Sequence, residues 1–221
     1  MAPVPPPPDP SAPLKAQLLA TEHWSLLATR SQTQSEVLVR ITMLLTFVSA
    51  VLVSLALIGQ ATDFDGSFRL VAVTLLAIAT AIAALTQVRV TNVAMEDLAL
   101  VLAMNRLRAA YAELVPGIER DFFASTHDDL AGVSQTYYFL GPPRNASQVL
   151  GSSMMFVLVV VGTLSGLLTA SIVLSAGGGA AQAVVAGAVV GFVASAIGFG
   201  AGFRTFTAFW RGWHPQSPTP A

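Results

Sequence analysis

The 221 residues are 54% hydrophobic and only 10% charged, against about 25% charged in a soluble domain, which leaves too little polar surface for a globule in water. A net charge of −1, from 11 Lys and Arg against 12 Asp and Glu, provides no broad basic face for nucleic acid, whose recognition begins at the phosphates. Cysteine is absent, which removes disulfides, thiolate metal sites and palmitoylation.

Ten Arg against one Lys in a chain rich in Ala and Val is the composition of a GC-rich bacterial genome. Residues 1–13, with the run MAPVPPPP, read as a Pro-rich tail of extended, polyproline-like character. They have no basic n-region or short apolar h-region, so no cleavable signal peptide is expected and the first apolar segment should be retained. Residues 14–36 are expected as a cytoplasmic or interfacial helix, its part from Leu14 to Ala28 amphipathic. The poor helix formers at 29–35 mark where it could bend to lie along a membrane surface.

Apolar stretches follow at 41–59, 70–88, 149–174 and 183–203. Each is about 19 residues or longer, enough to cross ~30 Å of hydrocarbon at 1.5 Å per residue. No ten-residue alternating pattern suggests a barrel, and lipid requires internally satisfied backbone groups. The fold expected is therefore all-α: four transmembrane helices as two hairpins, 37–88 and 149–203, with a helical cytoplasmic layer from 14–36 and 89–148. No Gly or Pro interrupts residues 14–58 or 67–115, so the first two helices can continue beyond the bilayer.

In the central loop, Asn92 is a candidate cap for a helix with Glu96 and Asp97 near its start and Arg106 and Arg108 near its end. Leu100, Met104, Leu107, Tyr111 and Leu114 recur at 4-3-4-3 spacing, one apolar stripe. Leu18, Leu19, Leu26 and Leu27 are its expected partners. Pro116-Gly117 ends the helix, and shorter ones are expected from Ile118 and from Thr126. His127-Asp128-Asp129 is the one cluster with chemical potential, and a His with two carboxylates could ligate a divalent ion. Neighbouring residues on a helix point apart, so the triplet reads instead as a helix start capped by Ser125 or Thr126. No metal or cofactor is expected.

The second hairpin is rich in small residues. Gly162 and Gly166 in one span, and Ala183, Gly187, Gly191 and Ser195 at steps of four in the other, let backbones approach closely. They are the candidate helix-packing interface, either within the chain or between copies. The connection at 176–179 reads as short and flexible. Beyond it, residues 204–221 combine Phe206, Phe209, Trp210 and Trp213 with Arg204 and Arg211. Trp210, Trp213, Arg204 and Arg211 are the expected membrane-interface anchors. Tyr137, Tyr138 and Phe139 flank the third span in the same manner.

Arg30, Arg40, Arg89, Arg106, Arg144, Arg204 and Arg211 fall on one side of a four-span arrangement, and only Arg69 on the other. The arginine-rich side is then cytoplasmic, with both termini inside an inner (plasma) membrane. No Asp, Glu, Lys or His lies within a span, which argues against proton pumps, voltage sensors and ion-coupled transport. The Ser and Thr hydroxyls in the spans are expected to bond to carbonyls of their own helices. No phosphate loop, nucleophile elbow, zincin helix or dinucleotide fingerprint is present.

The segments HWSLLATR at 23–30, MNRLRAAY at 104–111 and HDDLAG at 127–132, in this order around the apolar stretches, resemble uncharacterised bacterial four-span membrane proteins. The resemblance implies the same topology and brings no activity. The function expected is that of a non-enzymatic scaffold or interaction subunit. Its partners would be the lipid bilayer and either a cytoplasmic protein or further copies of itself. An oligomeric pore, permease or membrane-perturbing effector is the alternative.

Overall fold

The computed structural model describes residues 11–220. The first ten residues of the expected Pro-rich tail lie outside them. Six α-helices and one 3₁₀ turn are found among the described residues, and no strand. They are α1 (Ala12–Ala61), α2 (Gly66–Leu114), the 3₁₀ turn (Ile118–Asp121), α3 (Leu130–Tyr137), α4 (Asn145–Leu150), α5 (Ser153–Ser175) and α6 (Ala180–Gly212). Helices α1, α2, α5 and α6 are each long and apolar enough to cross a membrane. The chain is an all-helical, multi-pass membrane protein.

Two compact units are distinguished. One holds the described residues up to Thr33, with Glu96–Arg144 and the chain from Trp213 on; the other holds Gln34–Met95 and Asn145–Gly212. The second contains all four apolar stretches. Its core runs along α1 through Val37, Ile41, Leu44, Val51 and Leu55, along α2 through Ala72, Leu76, Ala79, Ala83, Val90 and Val93, and along α5 through Val157, Val161 and Leu164. These recur at steps of three, four or seven, the near side of each helix. The remaining faces stay apolar yet exposed, as at Leu38, Met43, Leu52, Leu57, Leu85 and Phe192. A helix apolar on every side suits lipid, where close packing rather than water exclusion holds helices together.

With no Gly or Pro to stop them, α1 and α2 run unbroken for 50 and 49 residues. The expected bend at 29–35 does not occur. Thr21, Thr29 and Thr33 donate their hydroxyls to the carbonyls of Gln17, Ser25 and Thr29, so these poor helix formers stay within the helical hydrogen-bond pattern. Asn92, expected as a cap, lies inside α2. The cap of α2 is Asp65, whose Oδ1 accepts from the amides of Ser67 at 2.9 Å and Phe68 at 3.0 Å. The turn before it carries Asp63 and Phe64 at positive φ.

Two boundaries in the second hairpin also differ. The apolar run from 149 does not enter the span directly: α4 ends at Leu150 and α5 begins at Ser153, with the Ser152 hydroxyl accepting from the Met155 amide. The 176–179 connection is an ordered cap. The Gly178 amide donates to the Val173 carbonyl at 2.9 Å and the Gly177 amide to that of Leu174 at 3.1 Å. Gly177 takes φ +87, the left-handed residue such a cap needs.

Candidate functional site around Asp128

The unit built from the described residues up to Thr33, Glu96–Arg144 and those from Trp213 on begins with the distal part of α2. That helix is covered on two sides. The expected stripe includes buried Met104 and partly buried Leu100, Leu107, Tyr111 and Leu114, and His23 of α1 stacks on Tyr111 with centroids 6.2 Å apart. On α1, Leu19 and Leu26 are partly buried while Leu18 and Leu27 are exposed. A second stripe, Leu98, Val101, Leu102 and Asn105, is more deeply buried. It contains a polar residue, which conceals it in a hydrophobicity pattern.

Asn105 has no solvent exposure. Its Nδ2 donates to the His127 carbonyl at 2.7 Å, and its Oδ1 accepts from the Thr136 hydroxyl at 3.0 Å and from Arg108 Nη1 at 2.8 Å. These bonds fasten the 125–136 segment to α2. Gly117, at φ +90, turns the chain out of α2, and the 3₁₀ turn carries it back.

Asp128, also without exposure, is the centre of the unit. Its carboxylate is paired with the Arg106 guanidinium and accepts from the amides of Gln216 at 3.0 Å and Ser217 at 2.8 Å. Its own amide donates to the Ser217 carbonyl at 3.1 Å. Trp213 Nε1 donates to the Asp128 carbonyl at 2.7 Å, and the Arg106 guanidinium carbon lies 4.3 Å from the centroid of the indole. Asp129 Oδ2 accepts from the Thr219 amide at 2.7 Å, and its Oδ1 accepts from the Thr219 hydroxyl and the Gly132 amide. The two neighbouring carboxylates thus hold the last residues of the chain as a strap.

Burial pushes the Asp128 carboxyl up, but the Gln216 amide, Arg106 and the Ser217 amide outweigh it and hold it below the usual carboxylate range. For Asp129, burial is likewise outweighed by the amides of Gly132 and Thr219, the Thr219 hydroxyl and His127. The expected capping by Ser125 or Thr126 is replaced. Asp129 is the N-cap and α3 starts at Leu130, while the Ser125 hydroxyl accepts from the His127 amide in a local turn. Among the described residues, no group of three or more His, Asp or Glu is placed to hold a metal. His127 Nδ1 is buried and makes no hydrogen bond among them. Trp213, expected as a membrane anchor, closes on Asp128. Tyr137, expected at a lipid boundary, donates to Asp97 Oδ2 at 2.6 Å.

The other expected residues lie in the apolar unit. Gly162, Gly166, Gly187 and Gly191 form a backbone-to-backbone seam between α5 and α6. A Cβ on Gly191 would sit 2.6 Å from the Gly162 carbonyl oxygen, and one on Gly187 would sit 2.7 Å from that of Gly166. The Ser195 hydroxyl donates to the Gly191 carbonyl in its own helix at 3.0 Å, and Ala183 is buried. One side of the seam remains an open apolar groove lined by Gly162, Gly166, Gly187, Gly191 and Phe192 among others. Arg204 and Arg211 are exposed on α6. Trp210 packs edge-on against Phe206 and Phe209.

Residue patterns did not foresee Asn105, the strap from Gln216 to Thr219, or the double pairing of Glu36. That carboxylate accepts from Arg89 of α2 at 2.9 Å and from Arg40 at 2.8 Å. It lies outside the apolar stretch, and the two arginines, Arg89 first, draw it down to about 2. Only the Glu36–Arg40 spacing of four was a readable signal. No protein-family model, curated protein or solved structure matches the chain.

Proposed function

We propose that the chain is a non-enzymatic scaffold or interaction subunit of a bacterial inner membrane, with both termini cytoplasmic. The arginine asymmetry around the apolar stretches supports that orientation. The observation that carries the scaffold reading is an exposed aromatic surface on the polar unit. Phe123 and Phe139 pack edge to face at 6.4 Å while 79% and 51% exposed, and Leu140, next in the chain, is 81% exposed. Apolar side chains displayed together outside the lipid-suited helices are a docking feature. The carboxylates of the one chemically suggestive cluster are occupied by Arg106 and the strap, which supports a structural rather than catalytic use.

The test is a photo-crosslinker at Gln135, which is exposed on α3, used in cells. A discrete adduct with one protein, lost on joint Phe123→Ser and Phe139→Ser substitution while membrane insertion is retained, is expected. The second reading, an oligomeric pore or permease, draws on the open groove along α5 and α6. Sustained potassium or proton flux through purified protein in liposomes would favour it over the scaffold. Against it stand the span hydroxyls of Thr42, Thr46, Thr74, Thr80 and Thr169, which donate to carbonyls of their own helices.

A further inference from the structure

The strap grips the same short stretch of chain that presents the exposed aromatic pair. Every main-chain N–H from Gln216 to Thr219 is spent there. Those of Gln216 and Ser217 go to the Asp128 carboxylate and that of Thr219 to Asp129, while Pro218 between them has none to satisfy. The Ser217 hydroxyl donates to the Thr126 carbonyl at 3.0 Å, and the Thr219 hydroxyl to Asp129 Oδ1 at 2.9 Å. Nearer α6, the His214 carbonyl accepts from Arg106 Nη2 at 3.1 Å. His214, Pro215, Gln216, Pro218 and Thr219 are exposed, so the strap lies on the surface and can leave without opening an apolar core.

Residues 122–129, between the 3₁₀ turn and α3, form no helix or strand. A stretch of that kind takes its shape from the bonds its polar groups make with the rest of the chain. The Ser125 amide donates to the Thr136 hydroxyl at 3.1 Å, and the His127 carbonyl accepts from Asn105. The bonds on Thr126, Asp128 and Asp129 come mostly from the strap. Asp129 serves twice, because the Oδ1 that takes the Thr219 hydroxyl also caps α3 through the Gly132 amide at 2.8 Å. Phe123 stands at the head of this stretch and Phe139 just beyond the end of α3, and their rings meet edge to face at 6.4 Å. The chain that sets one ring against the other is therefore the chain that the strap holds.

We propose that the C-terminal strap is a regulatory clasp on the aromatic surface: docked, it holds Phe123 and Phe139 together as one face, and released, it lets them separate. The clasp depends on the docking reading only for its consequence in the cell, since the coupling of strap to rings is a property of the chain alone. A terminal, exposed segment held by polar bonds belongs to the low-stability end of a fold, from which moving elements are drawn. The coupling is reciprocal. Whatever binds the paired rings more tightly than the separated ones holds the strap down by the same factor.

Full-length protein carrying trifluoromethyl-phenylalanine in place of Phe139 is studied in a neutral maltoside detergent, by its fluorine resonance and by hydrogen exchange at 125–137 and 213–219. Phe123→Ser sets the resonance of a separated ring. Joint Ser217→Pro and Thr219→Pro removes two strap amides and both hydroxyls without touching the loop, and Gln216→Ala keeps every main-chain bond. The double variant should release the strap, move the fluorine resonance toward the F123S value and speed exchange at 125–137 about tenfold or more, with Q216A as wild type. If the prolines leave the strap protected, joint Ser217→Glu and Thr219→Glu sets carboxylates against Asp128 and Asp129 and should release it. A strap still protected in both variants, a released strap with wild-type resonance and exchange at 125–137, or an equal response of Q216A would each overturn the clasp. In cells, the adduct at Gln135 should fall in the strap-released variant, and an undiminished adduct there would also overturn it. No adduct even in the wild type would count against the docking reading alone.

Discussion

Trp213 donates its indole N–H to the main-chain carbonyl of Asp128 at 2.7 Å, across 85 residues of sequence. Together with Arg106, which pairs with the Asp128 carboxylate and lies over the indole, this contact ties the C-terminal strap to α2. Trp213, one residue of an aromatic-basic run composed like a membrane belt, is therefore a structural part of the unit around Asp128.

Replacing Asp128 by Ala removes three acceptor contacts and leaves Arg106 partly buried without its counter-charge. A loss of about 2–4 kcal/mol is expected, larger than capping alone would give. Limited proteolysis should show the chain after Trp213 released first. Intact strap protection in D128A would mean that main-chain bonds alone hold it.

Acid should release the strap, and mild pH changes should not. Asp128 and Asp129 are both held below their ordinary value of 3.8. Their folded-state preference for the ionised form contributes fully above that value and is lost as pH falls through the lowered range. The Glu36 pairing follows the same sign, complete above 4.5 and lost toward about 2. Strap protection measured by hydrogen exchange should be flat from about pH 5 to 8 and fall only below about 4. A transition near pH 6 would point to a histidine in place of the carboxylates.

Two glycine substitutions in α6 should have opposite effects. Gly191→Ala puts a methyl against the Gly162 carbonyl and should cost about 1–3 kcal/mol by forcing α5 and α6 apart. Gly200→Ala meets nothing within 4 Å and should be neutral or stabilising by up to about 1 kcal/mol through helix propensity. Melting in detergent reads both.

Tyr137→Phe removes one of the donors to Asp97 while leaving Arg30 in place. A loss of about 1 kcal/mol is expected. Burial first, and the Asp97 charge second, raise the Tyr137 phenol well above its ordinary value. Absorbance at alkaline pH should therefore show a late-ionising tyrosine in the wild type that is missing from Y137F.

Topology can be read with single cysteines at exposed positions. Gly66 and Gly179, where an added Cβ meets nothing, should label from outside the cell, and Arg120 should label only after the membrane is opened. Ser125 is a poor reporter because it is buried. Outside labelling at Arg120 would reverse the proposed orientation.

The helical ladder was legible because its cause is local. Uninterrupted runs without Gly or Pro and apolar stretches of spanning length specify α1, α2, α5 and α6 without any knowledge of what they touch. The glycine steps in α5 and α6 were legible for the same reason, since a missing Cβ is visible in one dimension. The cap at Asp129 was misplaced by three or four residues, because Ser125, Thr126, Asp128 and Asp129 can all cap and only the fold of the loop selects among them.

Chain-distant polar contacts had no such signature. The deeper stripe of α2 carries Asn105 at its last position, and its burial is tolerable only because His127, Thr136 and Arg108 satisfy it. Asp128 became a latch because the strap returns to it from residues 88 and 89 positions away. The sequence alone determined that four apolar stretches are long enough to span lipid and that they are helical, which depends on periodicity and backbone propensity. Tertiary structure alone decided which carboxylate meets which arginine, because ion pairing depends on distance in space and the low-dielectric interior makes each match matter.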